Sequence, residues 1–331
     1  MRASAPVLAL AKQVPLLGKL GVWAAVRIGR ATSRPSLAKH WLVDAIANAL
    51  SYRVPIWTRL GNGLKIRVAW NDMIGRCICE SSYYEPDTVR LIEQLLVEGD
   101  VVLDVGAHVG QYTLVASRRV GPRGQVHSFE PDSRTFAWLA GNVRVNQLSN
   151  VTLNQSAVAA DHEPKRLYFS TSSDIGSNSL ALQRPHQQTG RSELVECTTL
   201  DAYRASHQLP SVDLIKADVE GAELWMLRGA KEILRSPRPP TLVLEFEEER
   251  QRAFGSSCTQ LAAELQQHGY DLWKIGPPLE PHRPRGDDPP SYNILGVHPS
   301  RREALERVLP RPAGSIAADP GRGPSAQTRR P

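Results

Sequence analysis

The chain has 331 residues, 41% of them apolar and 22% charged. That is the composition of a folded domain with enough length to bury a substantial core. No uncharged apolar run reaches 18 residues, so no spanning helix is expected, and Lys12 and Lys19 interrupt the N-terminal apolar stretch, which argues against a cleavable signal peptide. Four scattered cysteines (Cys77, Cys79, Cys197, Cys258) without a CxxC pair predict free thiols in a reducing, cytoplasmic setting rather than disulfides or zinc, and the histidines form no metal-ligand spacing.

The net charge of +6 is unevenly spread. Residues 1–53 carry 8 basic and 1 acidic side chain, residues 300–331 carry 7 and 3, and the middle, 54–299, carries 25 and 30. A mildly acidic body is unsuited to a nucleic-acid groove, whereas a basic end can touch an anionic surface.

In chain order, residues 1–53 read as a basic, partly apolar extension. Leu16, Leu20, Trp23 and Val26 fall near helical spacing among Lys12, Lys19, Arg27 and Arg30. This fits an interfacial helix giving peripheral membrane contact, and equally a helix packed on the domain. Residues 54–99 form a β preface, alternating at Leu64, Ile66 and Val68 with a turn at Gly61-Asn62-Gly63, then a leading helix that starts at Pro86 and stops at Gly99.

From 100 to 298 short apolar strands alternate with amphipathic helices. Strands are expected at 101–105, 125–129, 151–155, 212–219, 241–246, 270–275 and 292–297. Helices are expected near 109–119, 133–145, 222–235 and 257–268. This predicts an α/β fold: a Rossmann-like, seven-stranded, mostly parallel sheet with helices on both faces. The link 276–291 holds six prolines and no helix, so the last strand should run antiparallel. Residues 160–200 read as an insertion, and 299–331 as a basic, disordered tail rich in Pro, Gly and Ala.

The strongest local signal is Val101-Val-Leu-Asp104-Val-Gly106-Ala107-His108-Val-Gly110, a strand, a glycine turn and a helix start. Such crevices at strand carboxyl ends hold cofactors. A dinucleotide site would prefer GxGxxG. Here the glycines are spaced GxxxG and Asp104 precedes them. A carboxylate there would repel a pyrophosphate, at about 4 kcal/mol for two unit charges about 4 Å apart at an effective dielectric of 20. It suits S-adenosylmethionine, which has an ammonium, a sulfonium and no phosphate. Glu130 ends the second strand 26 residues after Asp104, placed to accept ribose hydroxyls, or else to cap the next helix. Ser156 and Ala157 should flank the adenine. His108 is a base, a contact for the methionine part of the cofactor, or a solvent-facing spacer.

Asp213-Leu-Ile-Lys-Ala-Asp218-Val-Glu220-Gly221-Ala-Glu223 brings a second acidic cluster to the end of strand four, beside strand one. Methyl transfer to a hydroxyl needs alignment and a proton acceptor. Asp218 is the first candidate, with Glu220 and Glu245 behind it; Glu220 and Glu223 also read as first-turn acids favoured by the helix dipole.

Asp104-Val-Gly-Ala-His-Val-Gly110, Phe129-Glu-Pro131, Asn142-x-x-x-Asn146, Thr199-Leu-Asp201, Ile215-Lys-Ala-Asp-Val-Glu-Gly-Ala-Glu223 and the upstream Tyr84-Glu-Pro86 together resemble the FkbM-type S-adenosylmethionine-dependent methyltransferases, over about residues 60–298. The resemblance implies a class I methyltransferase fold and O-methylation of a sugar, glycolipid or natural-product hydroxyl. The family commonly has Asn where this chain has His108. Asn146 reads as an αL helix cap. The competing reading is a non-catalytic, membrane-associated scaffold that binds the same cofactor.

Overall fold

The computed structural model describes residues 55–69, 72–170, 178–181, 188–284 and 288–309. The expectations for the 1–53 extension, for the tail beyond 309 and for the 171–177 tip of the insertion lie outside these residues.

The chain enters as an antiparallel hairpin of β1 (Pro55–Arg59) and β2 (Lys65–Ala69), turning at the expected Gly61-Asn62-Gly63. The next segment departs from the β preface. Residues Met73–Ser81 form a helix, α1, started by Asp72, whose carboxylate accepts the Gly75 N–H at 3.1 Å. The short alternation before it masked this cap. Helix α2 (Pro86–Leu95) begins with Pro at its first position and buries Val89, Ile92 and Leu95.

The central sheet then builds up through β3 (Val101–Val105), α3 (Gln111–Val120), β4 (Gln125–Phe129), α4 (Ser133–Val145) and β5 (Val151–Asn154). The insertion contributes small pairs outside that sheet: β6 (Ala157–Val158) runs parallel to β9 (Cys197–Thr198), and β7 (Lys165–Ser170) runs antiparallel to β8 (Gln188–Val195). Helix α5 (Leu200–Ser206) goes beyond the sequence expectation; Thr199 caps it by accepting the Ala202 N–H at 3.2 Å. The chain continues through β10 (Leu214–Ala217), α6 (Glu223–Arg228), α7 (Lys231–Leu234), β11 (Thr241–Glu247), α8 (Glu248–Ala253), α9 (Cys258–Gln267), β12 (Asp271–Lys274), β13 (Glu280–Pro281), β14 (Ser291–Val297) and α10 (Arg302–Val308).

The one helix expected at 222–235 is two. The break falls at Gly229, where a Cβ would stand 2.2 Å from the Ala159 carbonyl oxygen, so that neighbouring backbone crowds the site.

The strand order is β13-β12-β14-β11-β10-β3-β4-β5. β11, β10, β3, β4 and β5 pair in parallel, and β14 is antiparallel to both β11 and β12. The seven expected strands are present. The proline-rich link adds an eighth of two residues, β13, at the edge beside β12, a position that tolerates a strand proline. This is the Rossmann-like α/β methyltransferase fold.

All five residues of β3 are buried because helices cover both faces. Val102 joins the core under α2 and α3, while Leu103 and Val105 join the core under α6 and α9. Arg301 locks the lower edge: its guanidinium donates to Asp213 Oδ1 at 2.8 Å and to the Val212 carbonyl at 3.0 Å.

Two motifs from the sequence prove architectural. Asp201 accepts the Glu232 and Ile233 N–H groups, both at 3.0 Å, at the start of α7. Asn146 is not an αL cap; its φ is −95°. Its amide instead accepts from Lys65 N–H at 2.9 Å and donates to the Lys65 carbonyl at 2.6 Å. Asn142 does the same for Arg67, at 2.7 and 3.1 Å. Four residues of helix rise about 6 Å and two residues of strand about 6.6 Å, so the two amides match the edge of β2 like a third strand.

Candidate active site

A cavity opens at the carboxyl ends of β3, β4 and β10, where the order of strands reverses. Of the residues expected at the site, Gly106, His108, Glu130, Ser156, Ala157, Asp218 and Glu220 line it. Asp104, Ala107, Gly110 and Glu245 do not. Ala107 packs with Leu139 and Val143, and a Cβ on Gly110 would meet the Leu139 side chain at 2.5 Å. The two glycines are therefore required by the protein itself. Gly106 has φ +76°, and a Cβ there would stand 1.9 Å from the Asp218 carbonyl oxygen.

Four of the loop's N–H groups are already used. Gly106 and Ala107 donate to the Phe129 carbonyl at 3.0 and 2.9 Å, and Gly110 donates to Ala107 at 2.8 Å. His108, held at φ +51°, donates its N–H to Glu130 Oε2 at 2.9 Å. A phosphate nest needs such groups free; here a protein carboxylate occupies the His108 amide.

Glu130 also accepts the Asp132 N–H through Oε1 at 2.9 Å, so its plane is fixed from both sides. Burial, reinforced by the charges of Asp132 and Asp104, pushes its carboxyl up to about 8 despite these two bonds. Asp132 in turn caps α4, accepting the Arg134 N–H at 2.9 Å. The insertion reaches this rim. Asn178 donates to Asp132 Oδ2 at 2.9 Å, Ser179 donates to the Glu220 carbonyl at 3.2 Å, and Leu180 lines the cavity between them. Sequence reasoning marked 160–200 as an insertion but did not single out Asn178 or Leu180; a polar segment carries no period that would mark them.

Beneath the cavity lies a buried charge cluster. β3, β4 and β10 align Ser128, Asp104 and Lys216 in one row across the sheet. Asp104 is 1% exposed; its Oδ2 accepts from Thr113 at 2.6 Å, and its Oδ1 has no hydrogen-bond partner. Leaving a buried acceptor unmet costs about 1–3 kcal/mol, more for a charged one. Burial raises the Asp104 carboxyl, against the opposing pull of Lys216 and Thr113.

The three acids expected to be catalytic are not equivalent. Asp218 lines the cavity and pairs with Lys216 Nζ at 3.3 Å. Burial pushes its carboxyl up, but Lys216, a bond from Glu245 and the charge of Arg250 bring it below the usual carboxylate range. Glu245, off the cavity, accepts from Ser291 at 2.9 Å. Burial and the neighbouring Asp218 drive its carboxyl far up, opposite in direction to Asp218. Glu220, at φ +59°, has its charge engaged by Arg250, which also pairs with Glu247 at 2.6 Å. Glu223, raised to about 7 by burial, accepts the Val219 N–H at 3.0 Å and so braces the loop.

These groups fit S-adenosylmethionine. An unmet carboxylate oxygen beneath the cavity matches an ammonium, a fixed carboxylate on the rim matches a pair of ribose hydroxyls, and four N–H groups of the loop are already taken.

The profile described as "Methyltransferase FkbM domain" matches residues 104–272, just over half of the chain. Among curated relatives, "Hexuronic acid methyltransferase AglP" of Haloferax volcanii is 29% identical over 156 residues, covering 46% of this chain and 59% of that protein. "Methyltransferase 1" of Beauveria bassiana is 27% identical over 143 residues, covering 39% and 57%. The chain thus spans less than two thirds of the length of either. A solved FkbM methyltransferase from Methylobacillus flagellatus superposes with a TM-score of 0.41 at 15% identity, over 83% of this chain and 58% of that one, too distant a likeness to carry an argument. On the profile match, the chain belongs to the FkbM family of S-adenosylmethionine-dependent methyltransferases.

Proposed function

We propose that the enzyme methylates a hydroxyl oxygen on a sugar, glycolipid or related natural product. When bound, S-adenosylmethionine supplies an electrophilic methyl group for in-line displacement. The chain's own residues do the rest. Glu130 accepts the ribose hydroxyls, Asp104 takes the ammonium through its unmet oxygen, and Ser156 and Ala157 flank the adenine.

The observation that carries the O-methylation reading is the place of Asp218 at the cavity. Glu220 is engaged by Arg250 and Glu245 lies off the cavity, which leaves Asp218, steadied by Lys216, to orient the acceptor hydroxyl and accept its proton. Ile74, Leu167 and Leu180 give the acceptor side an apolar wall, and Asn178 gives it an amide. The printed name of the Haloferax volcanii relative, a hexuronic acid methyltransferase, supports a sugar acceptor.

The test is transfer of labelled methyl from S-adenosylmethionine into separated glycan, lipid and small-molecule fractions. Label in a glycan or glycolipid hydroxyl is expected. Binding of the cofactor without label in any fraction would favour the scaffold reading.

Among the described residues no helix is long and apolar enough to cross a membrane. We place the enzyme in the cytoplasm, with a methyltransferase domain over 100–298, a 54–99 segment leading into it and a basic 1–53 extension touching anionic membrane. Co-sedimentation with anionic vesicles, lost on deleting the extension, is the expected result; retention without it would remove that contact.

A further inference from the structure

The lysine of the Ile215-Lys216-Ala217-Asp218 motif and the upstream Tyr84-Glu85-Pro86 motif are left without a part in the reaction above, yet the fold brings them together. Lys216 is 4% exposed. Its Nζ lies 3.3 Å from Asp218 Oδ2 and 4.6 Å from the centre of the Tyr112 ring. Tyr112, on α3, donates to Glu85 Oε2 at 2.6 Å. Glu85 is held at φ +49° just before α2, an uncommon backbone state for a residue of this kind.

Lys216 therefore faces Asp104 from β3, Asp218 at the end of its own strand, and Glu85 and the Tyr112 ring from the helical layer. From β11 its register partner is the apolar Val243, with Glu245 two residues further on. Burial opposes its charge, but Asp218, Asp104 and Glu85 together hold it protonated. Arg250 adds positive charge at Asp218, but the cation acting on Asp104 is Lys216, which Asp104 shares with Asp218 and Glu85. What is left unmet is Asp104 Oδ1, the oxygen with no partner.

We infer that Lys216 is a positioning residue for the amino-acid end of the cofactor, the permanent cation that keeps Asp104 a carboxylate until the cofactor's ammonium arrives as the second. It touches neither the adenine nor the ribose side of the cavity, so its effect is confined to one end of the ligand. The inference rests on the assignment of Asp104 to the ammonium made above.

The test compares two probes by calorimetry, S-adenosylhomocysteine, which carries the ammonium, and 5′-methylthioadenosine, which lacks the amino-acid part. In Lys216→Met at pH 7, affinity for S-adenosylhomocysteine should fall about tenfold or more and recover in part as pH is raised to 8. Affinity for 5′-methylthioadenosine should stay within about twofold. Equal losses for both probes, or no loss for either, would overturn the inference, because a merely structural lysine would not separate them. Asp104→Ala isolates the underlying assignment: an unchanged preference for S-adenosylhomocysteine there sinks the assignment whatever Lys216 does. Should Lys216→Met not fold, the wild-type affinity ratio of the two probes is measured from pH 6.5 to 8. A flat ratio is expected, and a ratio that climbs with pH means that Asp104 is not held ionised.

Discussion

Replacing Gly106 by Ala separates what the protein demands of this glycine from what a ligand would. The new Cβ would stand 1.9 Å from the Asp218 carbonyl oxygen and 2.9 Å from its carbon, both backbone atoms that no side-chain rotation can move. Real Cβ contacts do not fall below 3.0 Å, so the β3 and β10 exits must part by roughly 1 Å. The bond between them, Asp218 N–H to the Val105 carbonyl, is already 3.1 Å long and does not survive that shift. Losing it costs about 1 kcal/mol, stranding its groups about 1–3 kcal/mol, and a non-glycine at positive φ about 1–2 kcal/mol. The expected destabilisation is about 3–6 kcal/mol, a large part of a typical domain's 5–15 kcal/mol. Gly99→Ala is the control. Gly99 has φ +95°, and a Cβ added there would meet nothing within 4 Å, so only the backbone cost of about 1–2 kcal/mol applies. Urea unfolding of the two variants reads the difference directly. If Gly106→Ala proves no more costly than Gly99→Ala, the close approach of Asp218 is not what fixes this glycine. In any folded fraction of Gly106→Ala, turnover should drop about 100-fold, the scale on which a displacement of about 1 Å acts.

Other consequences follow from the charges. Glu130 ionises near 8 when the site is empty, so about one-tenth of it is a carboxylate at pH 7; 5′-methylthioadenosine should bind about tenfold more tightly as pH rises from 7 to 9, and Glu130→Gln should flatten the profile. The sign reverses for the empty protein. Its folded form holds this proton above the unfolded value of 4.5, so Glu130 contributes stability below that value that is lost as pH climbs to about 8, and denaturation midpoints of wild type and Glu130→Gln should diverge across that window. Asp218→Asn should leave cofactor affinity within a few-fold while cutting methyl transfer about 10²–10⁴-fold; parallel loss of both would contradict a role confined to the acceptor.

The sheet was legible because its strands are short, apolar and bounded by glycines, and because the proline-rich link forbids a crossover. Much of the cavity followed from the same pattern: Gly106, Glu130 and Asp218 sit at strand ends, where position alone brings them together. What the sequence could not show is which neighbour each polar group meets. Gly106 and Gly110 read as openings for a ligand, but Asp218 and Leu139 occupy the space a Cβ would need. Asp218, Glu220 and Glu245 could be ranked only by their places along the chain, and the sequence did not show that Lys216, Arg250 and burial act on them differently. Helix α1 escaped notice because its cap, Asp72, follows an alternating strand, and α5 because seven residues give too few turns for a period to emerge.

The paired amides of Asn142 and Asn146 have a mechanical consequence. They fasten the β1–β2 hairpin to α4, the same helix whose first turn, capped by Asp132, supports Glu130 and receives Asn178. The hairpin and the rim that carries Glu130 are thus joined through a single helix. A pull at Pro55 would be passed through α4 to the carboxylate we propose for the ribose.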